Sequence, residues 1–267
     1  MADVSVLIPT YNRRAALAVT LTSLCFQETN NFDVVIADQS EQDCRDGKAP
    51  LLTTIRLLEA RGVRVRIERN LPRRGMAQQR QFLLDRARAP YSLFIDDDLV
   101  LEPYVIRMLR DVLRRENCGF AGNAVIGLSY VDDVRPAEQH IELWRGPVTP
   151  ETVTPGGPEW QRHTLHNAAN LWHVQRRLHA SPASPVLYKV AWVGGCVMYD
   201  TGKLRDAGGF DFWKDLPHSH CGEDVLAQLR VAARFGACGV LPSGAYHQEL
   251  ETTVPDRRVN APEYLRV

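Results

Sequence analysis

Residues 91–98 read Tyr91-Ser92-Leu93-Phe94-Ile95-Asp96-Asp97-Asp98, an apolar run that is followed at once by three carboxylates. An apolar run of this kind is typical of a buried strand. Asp is disfavoured in strands, so we expect the three acids at the point where the strand ends. Because side chains alternate along an extended chain, Asp96 and Asp98 should point the same way and Asp97 the opposite way.

The three acids need a compensating charge. Two like charges about 6 Å apart repel by roughly 3 kcal/mol at an effective dielectric of 20. A divalent cation would supply the compensation, since Mg²⁺ and Mn²⁺ favour carboxylate oxygens. The alternative is an acidic turn in which Asp97 or Asp98 caps the following helix. The residues by themselves leave both interpretations open.

The composition is that of a globular protein without a strongly charged surface. The chain has 267 residues, 45% hydrophobic and 24% charged, enough for one α/β domain or two small ones. Lys+Arg and Asp+Glu both number 32, so no net basic charge indicates nucleic-acid binding. No apolar stretch approaches the roughly 18 residues of a transmembrane segment. The absence of a secretory signal pattern predicts a cytoplasmic protein with free thiols.

Strand and helix patterns alternate through the first part of the chain. The predicted strands are Val4–Ile8, Asp33–Ala37, Val63–Ile67 and Tyr91–Ile95, and the predicted helices cover about 14–26, 51–61 and 75–86. This order predicts a mostly parallel sheet with helices on both faces. Ligands of such sheets bind at the carboxyl ends of the strands. The polar residues expected at that edge are Thr10-Tyr11-Asn12, Asp38-Gln39-Ser40, Asn70 and the three acids.

The rest of the chain is less regular. We expect a helix over about 103–115, a strand over 119–126 and an amphipathic helix over 223–235. Residues 129–188 have no clear periodicity and form an irregular insertion, which is usually functional at this length. Residues 188–199 predict a strand that is interrupted at Gly194-Gly195.

Several motifs in order resemble the family 2 glycosyltransferases, which have the GT-A fold. The matching stretches are Val4–Arg13, Asp38, Asn70–Gly75 leading into Gln78–Arg80, the Asp-Asp-Asp run as a DxD element, Trp192–Tyr199, Cys221–Asp224 and Tyr246-His247. The resemblance extends from Val4 to about His247 and is weakest over 129–188. It implies one GT-A domain over residues 1–267, a Rossmann-like α/β fold with a donor half (1–98) and an acceptor half (99–267).

The resemblance implies transfer of a sugar from a nucleotide-diphosphate donor, with a UDP-sugar as first choice. The residues that it assigns to the donor are Pro9, Thr10, Tyr11, Asn12, Arg13, Asp38, Asn70, Arg80, Asp96 and Asp97. Asp38 would accept a hydrogen bond from the base, although a strand-end Asx turn explains the same residue. Arg80 would lie near the diphosphate, which a planar guanidinium suits, although it could equally solvate a helix.

The resemblance also assigns the metal and the catalytic groups. Asp96, Asp98 and His247 would hold Mn²⁺ or Mg²⁺. Asp224 would be the general base of an inverting transfer, with Glu223 in support, although two acids also suit the first turn of a helix. The acceptor side would include Trp192, Gly194 and Gly195, and the acceptor would be a saccharide, a lipid-linked molecule or another small molecule, which leaves peripheral membrane binding open.

Two other classes of function stay open from the sequence. Asp-x-Asp at a strand end also serves Mg²⁺-dependent phosphotransferases and phosphatases with an Asp nucleophile. A nucleotide-sugar-binding protein without turnover would share the donor residues. A dinucleotide-dependent oxidoreductase is disfavoured, because no Gly-x-Gly-x-x-Gly follows the first strand.

Overall fold

The structure, a computed structural model, describes residues 2–45 and 50–265. The strands are β1 (Val4–Thr10), β2 (Phe32–Asp38), β3 (Val65–Arg69), β4 (Tyr91–Ile95), β5 (Leu99–Leu101), β6 (Phe120–Gly122), β7 (Val186–Tyr188), β8 (Cys196–Asp200), β9 (Ala237–Leu241) and β10 (Ala245–His247). The helices are α1 (Arg14–Cys25), α2 (Pro50–Ala60), α3 (Met76–Leu84), α4 (Val105–Glu116), α5 (Asn170–Arg177), α6 (Thr201–Asp206), α7 (Glu223–Phe235) and α8 (Ala261–Tyr264).

Eight strands form one sheet in the order β3-β2-β1-β4-β8-β6-β9-β7. Strands β1 to β4 pair in parallel, as do β6 and β9, whereas β8 runs antiparallel to both of its neighbours and β7 runs antiparallel to β9. The mostly parallel α/β sheet predicted from the alternating pattern is therefore confirmed. Strands β5 and β10 form a separate antiparallel pair beside it.

The core lies on both faces of this sheet. Every residue of β1 is buried, which is typical of a strand covered on two sides. Ile8 packs with Leu17 and Leu21 of α1 on one face, and the neighbouring Leu7 packs with Leu83 of α3 on the other. Successive apolar residues of β1 thus pack on opposite faces of the sheet, because side chains alternate along a strand.

The insertion at 129–188 contains more regular structure than its sequence predicts. It holds helix α5, strand β7 and short 3₁₀ segments, including Pro158–His166. Arg162 bonds Glu142 at 2.9 Å and Glu151 at 2.7 Å, and Lys189 bonds both of these acids. Contacts between residues far apart in the chain order this segment, so local periodicity could not reveal it.

Two strand predictions in the second part of the chain are too long. The strand expected over 119–126 ends at Gly122, and the one expected over 188–199 is strand only at Tyr188, where β7 ends, and from Cys196, where β8 begins. The chain leaves the sheet at Asn123, whose side-chain amide donates to the carbonyls of Val240 and Pro242 at 3.1 Å. Gly195 has a φ of +79°, which breaks the extended conformation just before β8.

Within the part of the chain that the structure describes, the longest helix is α7, with 13 residues. Among the helices of residues 2–45 and 50–265, none combines the length and the apolar character that crossing a membrane requires.

Candidate active site

A cleft of about 380 Å³ lies at the carboxyl ends of β1 and β4. The predicted site residues that line it are Pro9, Thr10, Tyr11, Arg13, Arg80, Asp96, Asp97, Asp98, Glu223 and His247. The predicted residues outside its lining are Asn12, Asp38, Asn70, Asp224, Trp192, Gly194 and Gly195. The edge of the sheet therefore brings most of the predicted donor and metal residues together.

The backbone of the three acids is held by hydrogen bonds to three other segments. The Asp96 N–H donates to the Gly195 carbonyl at 3.0 Å, and the Asp98 carbonyl accepts from the Gln248 N–H at 2.8 Å. The hydroxyl of Thr20 donates to the Asp97 carbonyl at 2.9 Å. Strand β5 begins at Leu99, directly after the acids, so the alternative of a helix cap at Asp97 or Asp98 is wrong.

The strict alternation expected for the acids is also wrong. The strand ends at Ile95 and the chain turns at Asp97 and Asp98. Arg13 Nη1 lies 2.5 Å from Asp98 Oδ2 and 3.4 Å from Asp97 Oδ1, so both side chains reach the same guanidinium. Asp97 also accepts from the Thr10 hydroxyl at 2.6 Å. The geometry therefore makes Asp97 a bonded member of the site.

Two arginines supply part of the charge that the acids need. Arg13 pairs with Asp97 and Asp98, and Arg80 lies between Glu223, at 2.9 Å, and Asp96, at 3.4 Å. Burial alone would lower the pKa of Arg80, but the charges of its acidic neighbours raise it, so its guanidinium stays cationic. The sequence predicted Arg80 near the phosphates and did not predict the ion pair of Arg13 with the acids.

Burial raises the pKa of several of these carboxyl groups above the usual value. Removal from water raises the pKa of Asp96, and it raises the pKa of Asp97 to about 6 despite the hydrogen bond from Thr10. Burial and the neighbouring charge of Glu223 raise the pKa of Asp224 to about 7. A carboxylate with a pKa near neutrality is a stronger base than an exposed aspartate and is still partly ionised at pH 7.

The carboxylates suit a divalent cation better than His247 does. Asp96 is the most accessible of the acids, with 37% of its side chain exposed, and its oxygens face the cleft with those of Asp98. His247 Nδ1 accepts from the Glu249 N–H at 2.7 Å, so the proton of a neutral ring is on Nε2. Nε2 lies 3.4 Å from Asp98 Oδ2 without forming a hydrogen bond to it. Asp96 and Asp98 fit Mg²⁺ or Mn²⁺ by the chemistry of their oxygens, and His247 as a metal ligand stays a prediction from the resemblance.

Asp38 is bonded within its own loop. Its side chain is fully buried and accepts from the N–H groups of Ser40, at 2.8 Å, and Cys44, at 2.9 Å, and from Arg69 at 2.6 Å. Although burial would raise it, these bonds lower the pKa of Asp38. The Asx turn is thus present, and the Asp38 side chain is fully buried outside the lining of the cleft. The base contact stays a prediction from the resemblance.

Asn12 and Asn70 also stabilise the loops behind the cleft. Asn12 has a φ of +54°, its N–H donates to the Ser40 hydroxyl, and its side chain accepts from the Glu41 N–H. The amides of Asn70 and Gln78 bond each other at 2.9 and 3.2 Å. These contacts position Tyr11 on the cleft wall, where Arg73 lies over its ring at 3.5 Å.

Glu223 and Asp224 form the first turn of α7 and differ in their surroundings. Glu223 is buried on the cleft wall and holds Arg80. Asp224 is half-buried beside it, outside the lining, and interacts electrostatically with Arg80 and Asp96. Gly222 precedes the helix with a φ of +72°, where an added Cβ would lie 2.2 Å from Asn260 Oδ1. Glycine therefore permits the close approach that positions both acids.

The predicted acceptor residues form a layer behind the acids. The Trp192 ring stacks on His163, with centroids 6.1 Å apart and planes 14° apart. An added Cβ at Gly195 would lie 2.4 Å from Val125 Cγ2 and 3.5 Å from Asp96 Oδ2. Gly195 is thus required, because a side chain at this position would prevent the backbone from approaching Asp96. This steric requirement accounts for the glycine without any role in binding a ligand.

A second pocket of about 300 Å³ adjoins the cleft and shares His247 and Leu250 with it. Its other lining residues are Val125, Gly127, Tyr130, Ala168 and Glu249. About half of the Tyr130 side chain is exposed. Sequence reasoning missed this pocket, because its residues come from three separate segments without periodicity.

The cleft has two further walls. His220 is buried on the cleft, where its Nε2 accepts from the Ala77 N–H at 3.1 Å and fixes the start of α3. His220 and Cys221 thus form one of these walls. The missed wall consists of Leu250, Thr252, Thr253, Val254 and Arg257. No periodic pattern in that stretch could have identified it, and the adjacent arginines at 257 and 258 were the only signal.

Comparisons with known proteins agree with this geometry. The model of the glycosyl transferase family 2 matches residues 5–170. An uncharacterized glycosyltransferase of Haemophilus influenzae is 30% identical over 94 residues, which are 35% of this chain and 29% of that protein.

Solved structures share the fold. TarS of S. aureus (residues 1–349, with UDP-GlcNAc) aligns with a TM-score of 0.57 and 16% identity over 95% of this chain and 60% of that one. The mannosyltransferase PcManGT of Pyrobaculum calidifontis, with GDP-Man and Mn²⁺, aligns with a TM-score of 0.54 and 14% identity over 94% and 58% of the two chains. The chain therefore spans less than two thirds of each of these relatives.

Proposed function

The chain belongs to glycosyl transferase family 2 and is a glycosyltransferase with the GT-A fold, and from this premise we propose a metal-dependent, inverting transfer from a UDP-sugar to an acceptor hydroxyl. The observation that carries the proposal is the single cleft that gathers Asp96, Asp98, Arg80 and Glu223 from distant parts of the chain. The proposed unit is one domain over residues 1–267, with its donor half at 1–98 and its acceptor half at 99–267.

The donor lies in the cleft with its phosphates at the acids and its nucleoside against the loop of β1. Tyr11 and Pro9 line that wall and offer apolar surface to the nucleoside. TarS complexes with UDP and UDP-GlcNAc support a uridine donor, whereas the GDP-Man complex of PcManGT makes a guanosine donor the competing choice.

Asp96 and Asp98 hold a divalent cation in this proposal. Mn²⁺ or Mg²⁺ supplies positive charge for the nucleoside diphosphate as it leaves. Arg13 contacts Asp98 and competes with a cation for the same oxygen. Arg80, held by Glu223, keeps a second positive charge at Asp96 on the side of the cleft that faces α7.

Asp224 accepts the proton of the acceptor hydroxyl. The hydroxyl oxygen forms a bond to the anomeric carbon, the bond from that carbon to the phosphate oxygen breaks, and its electron pair leaves with the diphosphate. Attack opposite the leaving group inverts the anomeric configuration, as no enzyme nucleophile takes part. The raised pKa of Asp224 supports this role, since it matches the base to neutral pH.

The acceptor enters from the side of the second pocket. That pocket adjoins the donor cleft at His247 and Leu250, and Val125 of its lining contacts Gly195 beside Asp96. Tyr130 offers an aromatic surface of the kind on which sugar rings stack. Trp192, Gly194 and Gly195 support this side from behind.

The test is a donor screen by calorimetry with UDP and GDP, in Mn²⁺ and in EDTA, followed by product analysis with UDP-sugars. We expect UDP to bind in Mn²⁺, and EDTA or Asp98→Asn to weaken binding at least tenfold. Asp211→Asn, at an exposed side chain that pairs with Lys214, is the matched control. Release of inorganic phosphate instead of UDP would indicate a phosphatase, and binding without turnover would indicate a binding protein.

A further inference from the structure

The charges of the cleft leave one guanidinium available. Its lining carries the carboxylates Asp96, Asp97, Asp98 and Glu223, of which Arg13 and Arg80 contact every one. Arg257 is the remaining arginine of the lining. It is exposed, and no carboxylate of residues 2–45 and 50–265 lies within ion-pair distance of its side chain.

The backbone at Arg257 is fixed beside the start of α7. The Cys221 N–H donates to the Val259 carbonyl, and the Ala261 N–H donates to the Cys221 carbonyl, both at 2.9 Å. These bonds form a parallel bridge between Cys221 and Asn260. Because Glu223 follows two residues after Cys221, the segment that carries Arg257 is attached to the same turn as the acids.

The segment is attached at its other end as well. Arg13, which pairs with Asp98, also donates to the Glu251 carbonyl, and the Gln248 N–H bonds the Asp98 carbonyl. Residues 248–261 are thus anchored to the acids near 248–251 and to α7 near 259–261. Arg257 lies in the chain between the two anchors and lines the cleft.

We propose that Arg257 binds the diphosphate of the donor within the cleft, a role that rests on the proposed function of this cleft. Four carboxylates and three arginines leave the lining with a net formal charge of −1, which disfavours an anion. A divalent cation reverses the sign of that charge, and an unpaired guanidinium then offers charge-assisted, bidentate bonds to phosphate oxygens. Arg13 and Arg80 cannot offer the same without leaving their carboxylates.

The adjacent Arg258 is a matched control. It pairs with Asp256 at 2.7 Å, lies outside the cleft lining and is similarly exposed. Arg257→Ala and Arg258→Ala remove the same charge from neighbouring positions. A nonspecific electrostatic effect would weaken anion binding equally in both variants, whereas direct binding affects only the first.

The experiment measures the affinity of the Mn²⁺-loaded protein for UDP, GDP, uridine and inorganic pyrophosphate by calorimetry. We expect Arg257→Ala to weaken UDP and pyrophosphate about tenfold and to leave uridine unchanged, with Arg258→Ala like the wild type and Arg257→Lys in between. Unchanged thermal unfolding midpoints show that the variants fold.

The outcomes separate this inference from the proposed function. Equal pyrophosphate and UDP affinities in Arg257→Ala and the wild type overturn the inference and leave the proposed function intact. If the wild type binds pyrophosphate but neither UDP nor GDP, the donor proposal fails, and the pyrophosphate affinity of Arg257→Ala still decides the role of Arg257. A wild-type protein that binds none of these anions contradicts both.

Discussion

The first half of the molecule, residues 2–98, and the second half, residues 99–265, contribute to one cleft but are built differently. In the first half, β1, β2 and β4 are long, buried strands between helices with apolar faces. In the second half, β6 and β7 have three residues each, and polar side chains such as Arg162 hold the insertion together. The strands of the first half are stabilised mainly by apolar packing, whereas the insertion at 129–188 of the second half depends more on specific polar pairs.

The chemistry depends on the alignment of these halves. Arg80 of the first half bonds Glu223 of the second, 143 residues away, and Arg13 of the first half bonds Asp98 and the carbonyl of Glu251. We therefore expect the largest effects on turnover from residues at the junction, intermediate effects on stability from the apolar core, and smaller effects from the second half.

The largest expected effect is on turnover at Asp224. Asp224→Asn should lower kcat about 10²- to 10⁴-fold, because a positioned general base contributes on that order. In the wild type, kcat/KM should fall as the pH drops through about 7, since Asp224 must be ionised to accept a proton. Rate measurements between pH 5 and 9 check this.

Controls distinguish the base from its neighbours. Asp97, whose pKa is raised to about 6, titrates lower, so Asp97→Asn should keep the limb near pH 7 that Asp224→Asn removes. Full activity of Asp224→Asn would show that Asp224 is not the general base. Turnover would then not depend on how the two halves are aligned at this residue.

The same comparison explains how much the sequence predicts. Strands β1 to β4 and helices α1 to α3 were predicted within about two residues, because apolar periodicity is a local property. The acids were predicted at the cleft for the same reason, as strand ends follow from strand patterns, whereas Arg80, which lies in α3, was assigned there by the family resemblance. The tautomer of His247 and the bonds of Asp38 depend on backbone groups that only the folded chain brings near them.

The missed residues belong to the second half and to its contacts with the first. The wall at 250–257 and the pocket at Tyr130 lie in segments that have no repeating pattern and are placed by hydrogen bonds such as Gln248 to Asp98. A sequence pattern cannot report a partner that is 150 residues away. The arginine at position 13 was assigned to the nucleoside, while its pairing with Asp98 follows from the turn at the acids.

The second largest effect concerns the apolar core of the first half. Ile8→Ala should lower the free energy of unfolding by about 2–5 kcal/mol, because the side chain is fully buried between α1 and the sheet and its loss leaves a cavity. Urea denaturation measures the change. Val19→Ala, at an exposed position of α1, is the control and should change stability by less than about 0.5 kcal/mol. Similar values for the two variants would contradict the importance of this layer.

A smaller effect is expected from the polar network of the second half. Arg162→Met should cost about 1 kcal/mol, since Arg162 is 12% exposed but its partner Glu142 is 42% exposed and screened by water. Arg135→Met, whose pair with Asp133 lies on the surface, should be neutral in the same urea titration. A loss at Arg162 as large as that at Ile8 would show that the two halves are stabilised to a similar extent and would remove the contrast between them.

The smallest effect should appear at Tyr130, in the pocket of the second half that we propose for the acceptor. Tyr130→Ala should raise the KM for the acceptor about three- to tenfold, because stacking on one aromatic ring contributes roughly 0.5–1.5 kcal/mol. The affinity for UDP should not change, since Tyr130 lines the second pocket and not the donor cleft. Leu128→Ala, exposed in the same 3₁₀ turn but outside the pocket, is the matched control.

Equal acceptor KM values in Tyr130→Ala and the control would indicate that the acceptor binds outside this pocket, nearer to Trp192. A change in UDP affinity instead would mean that the two pockets act as one donor site, so this measurement decides whether the second half contributes a separate acceptor surface.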